Sequence, residues 1–169
     1  MSRIGWLGQQ GWIGAVRRYI VVSALAHLVW EIAQLPLYTL WQTGTKGAQI
    51  FAVLHCTGGD ILIAGSSLLT ALALVGRRGW PEDGFAFVAS MTMVIGFGYT
   101  IYSEWLNTAV RVSWTYSELM PVVPWIGTGL SPLAQWLVVP TLALWAARWG
   151  SDRTAASAVV ADDNRQATS

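Results

Sequence analysis

Two ionisable side chains one helical turn apart, set inside an apolar run, are the first feature of this sequence with chemical potential. His27 and Glu31 lie in YIVVSALAHLVWEIAQLPLYTLW, residues 19–41, and Gln34 and Tyr38 extend the same helical face at three- and four-residue steps. A second apolar run, residues 49–75, carries His55, Cys56 and Asp60. Imidazole and carboxyl groups taken out of water can be tuned to exchange protons near neutral pH, the requirement for general acid–base work. A carboxylate at the centre of a membrane helix costs about 2.5–3.5 kcal/mol to insert, so such groups turn toward protein or water and mark a site.

The elements that must position them follow from composition. The chain of 169 residues is 54% hydrophobic and 11% charged, with 11 Trp and 17 Gly, against roughly 25% charged for a soluble domain. This is the profile of a polytopic membrane protein. Four spans are expected, at about 19–41, 49–75, 85–102 and 131–149, forming an all-α four-transmembrane-helix bundle over 19–150. Residues 1–18 read as an interfacial segment whose glycines (5, 8, 11 and 14) oppose a rigid helix. Ala24-Leu25-Ala26 has the look of a cleavage site, but only about five apolar residues separate it from Arg18, so an uncleaved anchor is expected. Residues 112–130 are too aromatic for a free linker and are placed at the interface. Pro140 is expected to kink or locally open the fourth span, and residues 151–169, polar and small, to be disordered. Eight basic residues fall on the side of the termini and the 76–84 loop, and two (Lys46 and Arg111) on the other. The positive-inside rule therefore puts both termini in the cytoplasm of a multi-pass protein, here a cell inner membrane.

At 1.5 Å per residue, His27 lies about 12 Å from the cytoplasmic side and Glu31 about 18 Å; from the other face His55 lies about 9 Å deep and Asp60 about 16 Å. Glu104 and Asn107 fall near the outer end of the third span and Gln135 near the start of the fourth. The expectation is a polar pocket in the outer half, lined by Gln34, Tyr38, Tyr102, Glu104, Asn107 and Gln135. Glu31 and Asp60 would be its proton carriers, with His27 and His55 as their partners. The partner expected is a hydrophobic small molecule drawn from the lipid bilayer. Structural readings stand beside this one: His27–Glu31 as a packing pair, and Glu104 as an interfacial charge paired with Arg111.

His27-Leu28-Val29-Trp30-Glu31 resembles the His-x-x-x-Glu of the first pocket helix in emopamil-binding-protein-type (EXPERA) membrane proteins. Asp60 and the Trp136 to Pro140 Trp-x-x-x-Pro resemble later parts of that pattern. The resemblance implies isomerisation of a hydrophobic ligand by His and acidic side chains, yet that family's charged signature after its first helix is absent from TGTKGAQI. Over most of its length the chain also resembles small bacterial membrane proteins of uncharacterised function carrying HCTGGD, YSEWLNT and GLSPLAQW segments.

Two further classes stay open. A membrane subunit or small-ion pathway could use His27, Glu31, Asp60 and Glu104 as a relay, alone or as an oligomer. A metal or haem could be held by His27, Glu31 and His55, but the estimated depths of the two histidines differ by about 9 Å. No metal ligand set or cofactor is assigned. A net charge of +1 gives no basis for nucleic-acid binding, the lone Cys56 forms no internal disulfide, and no phosphate loop or nucleophile elbow is present.

Overall fold

The computed structural model describes the backbone of residues 4–166 and the side chains of residues 11–149. Its elements are α1 (Ile4–Gln34), a short α2 (Leu40–Thr43), α3 (Lys46–Val75), α4 (Phe85–Trp105) and α5 (Leu130–Gln166). No named strand occurs among the described residues, only isolated bridges between Tyr38 and Tyr116 and between Val122 and Gly129. Four segments are long and apolar enough to cross a membrane: Gly11–Leu37, Lys46–Val75, Phe85–Val110 and Leu130–Trp149. Their outer faces carry exposed Val21, Leu25, Val29, Ile32, Leu54, Phe87 and Val94, surface that suits lipid and not water.

α1 packs against α3 and α5, and α4 packs against the same two helices. The four long helices therefore close a square, with α1 and α4 on one diagonal and α3 and α5 on the other. The chain turns back between successive long helices, so neighbours in sequence run antiparallel. One end of the bundle carries α2 and the 111–129 loop; the opposite end carries the 76–84 turn.

Local chemistry sets the boundaries. Pro36 cannot donate to a helix, and Leu35–Leu37 tightens into a 3-10 turn. The first span therefore ends there, and the apolar run expected to continue as one helix to residue 41 bends into α2. The carbonyls of α2 and Gly44 are gathered by buried Gln49, whose Nε2 donates to Trp41 O at 2.9 Å and lies 3.3 Å from both Leu40 O and Gly44 O. Thr45 caps α3 by accepting from Ala48 N at 3.2 Å. Gly84, at φ 73°, supplies the left-handed turn before α4. α4 passes into a π-helical turn, Leu106–Val110, and the chain then reverses at Val112, whose φ of 52° is rare for a β-branched residue.

Two terminal segments differ from expectation. Helix α1 begins at Ile4 and includes the glycines of the segment in which a rigid helix was not expected. Gly11 and Gly14 fall within the first membrane-length segment, where lipid offers the backbone no alternative hydrogen-bond partners and the poor helix propensity of Gly counts for less. Where a disordered tail is expected from residue 151, α5 continues to Gln166, in keeping with the helix-forming alanines of DRTAASAVVADDNRQ. α5 also runs through Pro140 as one helix. Residues 1–3 and 167–169 lie outside the described residues.

In the half near the 76–84 turn, the core is made of Ala15, Tyr19, Ala64, Leu68, Ala71, Trp80, Ala143, Leu144 and Ala147, all buried. Small residues let helix backbones approach closely where no hydrophobic effect drives them together.

Candidate functional site

Toward the other end, the interior becomes polar. On α1, His27, Glu31 and Gln34 are 0%, 8% and 5% exposed; on α5, Gln135 is 2% exposed. Asp60 of α3 faces them. Gln135 Nε2 is the hub: it lies 2.9 Å from His27 Nδ1, 3.1 Å from Glu31 Oε1 and 3.0 Å from Asp60 Oδ2. It therefore joins α5 to its neighbour α1 and, across the bundle diagonal, to α3.

An amide nitrogen carries two hydrogens and cannot serve three acceptors. The shortest contact closes when Gln135 donates to His27 Nδ1 and its second hydrogen serves the carboxyl oxygens, with Asp60 Oδ2 3.3 Å from the same ring nitrogen. In this arrangement Nδ1 is the accepting nitrogen of neutral His27 and Nε2 carries the hydrogen. Nε2 is buried and has no hydrogen-bond partner. Glu31 and Asp60 are close enough to interact with each other as well.

A second layer orients the first. Gln34 Nε2 donates to Glu31 Oε1 at 2.7 Å and to Gln135 Oε1 at 3.3 Å. Ser131 Oγ donates to Gln34 Oε1 at 2.8 Å and accepts from Trp30 Nε1 at 3.2 Å. The His27 ring packs on Trp136, centroid to centroid 5.4 Å. Trp136 reaches that position because residue 96 is glycine: a Cβ there would stand 2.3 Å from the indole Cζ3.

Beside this cluster lies a cavity of about 410 Å³. Glu31, Asp60, Gln34, Gln135, Tyr38, Glu104 and Asn107 contribute its polar wall, and Leu35, Leu40, Val53, Leu62, Ile63 and Trp136 its apolar wall. His27 is not on the wall; it stands behind Asp60 and Gln135. Glu104 is 7% exposed and accepts a short hydrogen bond from the Tyr116 hydroxyl, whose oxygen in turn accepts from Gly129 N at 3.0 Å. Burial first, and then this bond to Glu104, raise the Tyr116 hydroxyl above the usual tyrosine range. Tyr116 also packs on Tyr38 at 5.6 Å, and Thr39 N bonds Thr115 O at 3.0 Å. The 111–129 loop is thus fastened over the mouth of the cavity.

The expected site residues distribute as follows. His27, Glu31, Gln34, Asp60 and Gln135 meet in one network. The direct ion-pair partner of His27 is Asp60 and not Glu31, which joins through Gln135. His55 reaches the cavity rim, where it is exposed and stacks on Phe51 at 5.5 Å; it makes no hydrogen bond or ion pair with the cluster among the described residues. Tyr38 borders the cavity after the turn at Pro36, not on a continued helix face. Asn107 lies on the wall and donates to Ser103 O at 2.9 Å. Tyr102, expected on the lining, is corrected: it is 52% exposed and meets Tyr99 and Trp105 on the outer surface. Thr100 and Glu104, one turn apart, define the inward face of α4, and residue 102 stands about 200° around the helix from each. Glu104 bonds Tyr116, not Arg111. Ser131, Trp30 and Tyr116 belong to the network without having been singled out. Ser131 was recoverable from its four-residue spacing to Gln135.

Among the described residues no group of three or more His, Cys, Asp and Glu side chains is placed to hold a metal ion, so the set of His27, Glu31 and His55 does not assemble. Fold and site together describe a small helical bundle with four membrane-length helices and a carboxyl-rich interior. No family model, curated protein or solved structure matches the chain. The likeness to emopamil-binding-protein-type isomerases therefore rests on the quoted residues alone.

Proposed function

We propose that this is an integral membrane protein, termini in the cytoplasm of an inner membrane, whose cavity binds a hydrophobic small molecule and exchanges a proton with it. The observation that carries this reading is the sharing of one amide nitrogen, Gln135 Nε2, by His27, Glu31 and Asp60 within 3.1 Å. Gln135 gathers the three groups, and the direct contacts of Asp60 with His27 and with Glu31 let a proton pass among them without large motion. Glu31 and Asp60 face the cavity and are the groups in reach of a ligand. His27 acts through Asp60, which it orients, and His55 is left at the rim.

A volume of about 410 Å³ falls within the range of small-molecule sites. Its polar wall is rich in acceptors: Glu31, Asp60 and Glu104. The matching ligand has an apolar body and a head that donates hydrogen bonds, an alcohol or an amine. An isomerisation would use Glu31 and Asp60 as acid and base on either side of a double bond.

The test is mass spectrometry of small molecules that co-purify with the full chain in mild detergent. The wild type is expected to retain a hydrophobic alcohol or amine, and Glu31→Gln and Asp60→Asn to lose it by about tenfold or more. Equal retention by wild type and both variants, or retention by none, overturns the reading.

A further inference from the structure

The polar column on α1 does not stop at the cavity. Glu31, His27, Ser23 and Tyr19 follow one another at four-residue spacing, and all are buried, the last three completely. Residues so spaced stack on one helix face, here over about 18 Å of helix. His27 Nε2, Ser23 Oγ and Tyr19 OH are buried atoms with no hydrogen-bond partner. The Ser23 and Tyr19 hydroxyls are neighbours that stop short of hydrogen-bonding geometry. In the same core cluster as Tyr19 lies Trp80, whose Nε1 is likewise buried without a partner. Trp80 belongs to the 76–84 turn, at the end of the bundle opposite the cavity mouth.

Folded proteins leave almost no buried polar atom unbonded, and water fills the gap where no protein group does. Four such atoms, ordered along the bundle from the His27–Asp60 pair to the far turn, ask for bridging water. Hydroxyl groups donate and accept at once, neutral imidazole does so through its two nitrogens, and an indole N–H only donates. A file of waters on the first three groups has the two-way hydrogen bonding that proton hopping needs.

We propose that this column is a proton path, so that the protein carries protons between the cavity and the opposite end of the bundle and hence across the membrane. The cavity supplies the entry through Glu31 and Asp60; Asp60 hands a proton to His27 Nδ1 as the ring releases its Nε2 proton to the waters on Ser23 and Tyr19, which lead it to the 76–84 turn. The path shares with the ligand reading only the role of the two carboxyls as proton carriers. It needs no ligand.

The experiment uses the full chain in vesicles of phosphatidylethanolamine and phosphatidylglycerol, with a pH-sensitive dye inside and a potassium-diffusion potential to drive proton entry. Wild-type vesicles are expected to acidify about tenfold faster than protein-free ones, with Tyr19→Phe and Ser23→Ala each removing most of that gain. Tyr19→Phe deletes only an unpartnered hydroxyl, so its melting temperature should match the wild type. Ser66→Ala, an exposed hydroxyl on α3, should conduct normally. Wild-type acidification no faster than in empty vesicles, or undiminished conduction in both Tyr19→Phe and Ser23→Ala, overturns the path. Ligand retention separates the two proposals. Conduction without a retained molecule sinks the ligand reading alone, and retention without conduction sinks the path alone.

Discussion

The two halves of the bundle use the same four helices under opposite rules. Near the 76–84 turn, Ala15, Ala64, Ala71, Ala143 and Ala147 are fully buried and helices meet through backbone proximity and dispersion. Near the 111–129 loop, His27, Glu31, Gln34, Glu104 and Gln135 are almost as buried, and the helices are held apart around a cavity by directed hydrogen bonds. Alanine contacts bring helix backbones together and carry no proton themselves, which leaves the buried Tyr19 hydroxyl as a polar exception in that half. A hydrogen-bonded ring holds a vacancy open and is sensitive to every proton in it. The difference separates roles along one set of helices: the alanine half fixes helix positions, and the polar half spends that rigidity on a site.

The largest break in this contrast should come from the hub. Gln135→Leu keeps the volume but withdraws the one group that, among the described residues, bonds His27, Glu31 and Asp60 together. Those groups stay buried with unmet hydrogen bonds, and the expected loss is about 2–4 kcal/mol, measured by equilibrium unfolding in mixed detergent micelles. A variant as stable as wild type would mean that the polar half is held by something other than its network. Next in size is the seam between the halves. Gly96→Ala would place a Cβ 2.3 Å from Trp136 Cζ3, and this indole, 2% exposed, could yield only by leaving its packing on His27. Overpacking of this kind costs about 1–3 kcal/mol. Gly98→Ala, with nothing within 4 Å of its Cβ, is the neutral control in the same unfolding assay.

Most of the helical scaffold could be read from the chain because hydropathy and length determine which segments can cross a bilayer. Its interruptions were harder. Pro36 marks the end of α1 by its chemistry, but the π turn at Leu106–Val110 and the reversal at Val112 depend on how the 111–129 loop docks. The helical N-terminal segment was hidden by glycines, whose low propensity counts for less in lipid than in water. Depth estimates already put Asp60 and His27 at similar levels, about 16 and 18 Å from one face. What depth cannot supply is rotation. His55 and Asp60 share α3 but stand about 500° apart around it, or 140° after a full turn is removed, so one is at the rim and the other at the hub. Tyr102 was misjudged for the same reason. Gln135 gained its importance only from the diagonal contact to α3, which requires knowing which helices are neighbours.

The smallest expected effect tests the covering of the polar half. The Tyr116 hydroxyl donates to Glu104 and accepts from Gly129 N, so one phenol fastens the loop to α4 and steadies the loop's far end. Tyr116→Phe keeps the packing on Tyr38 and should cost about 1 kcal/mol, too little to unfold the bundle but enough to raise hydrogen exchange across residues 111–129. The sign of its pH dependence follows from which form makes the bond. Only the neutral hydroxyl donates, and the folded protein holds it above the usual range, through burial and then Glu104. The contribution is therefore fully present below the unfolded tyrosine value of about 10 and is lost as pH rises through the higher folded value. Exchange in the wild-type loop, corrected for its intrinsic rise with pH, should hold steady to about pH 10 and then increase. In Tyr116→Phe that alkaline increase should vanish, because the titrating group is gone. Matching alkaline profiles in both proteins would show that the loop is fastened elsewhere. The close pairing of Thr39 with Thr115 would then be the contact that keeps the cavity covered.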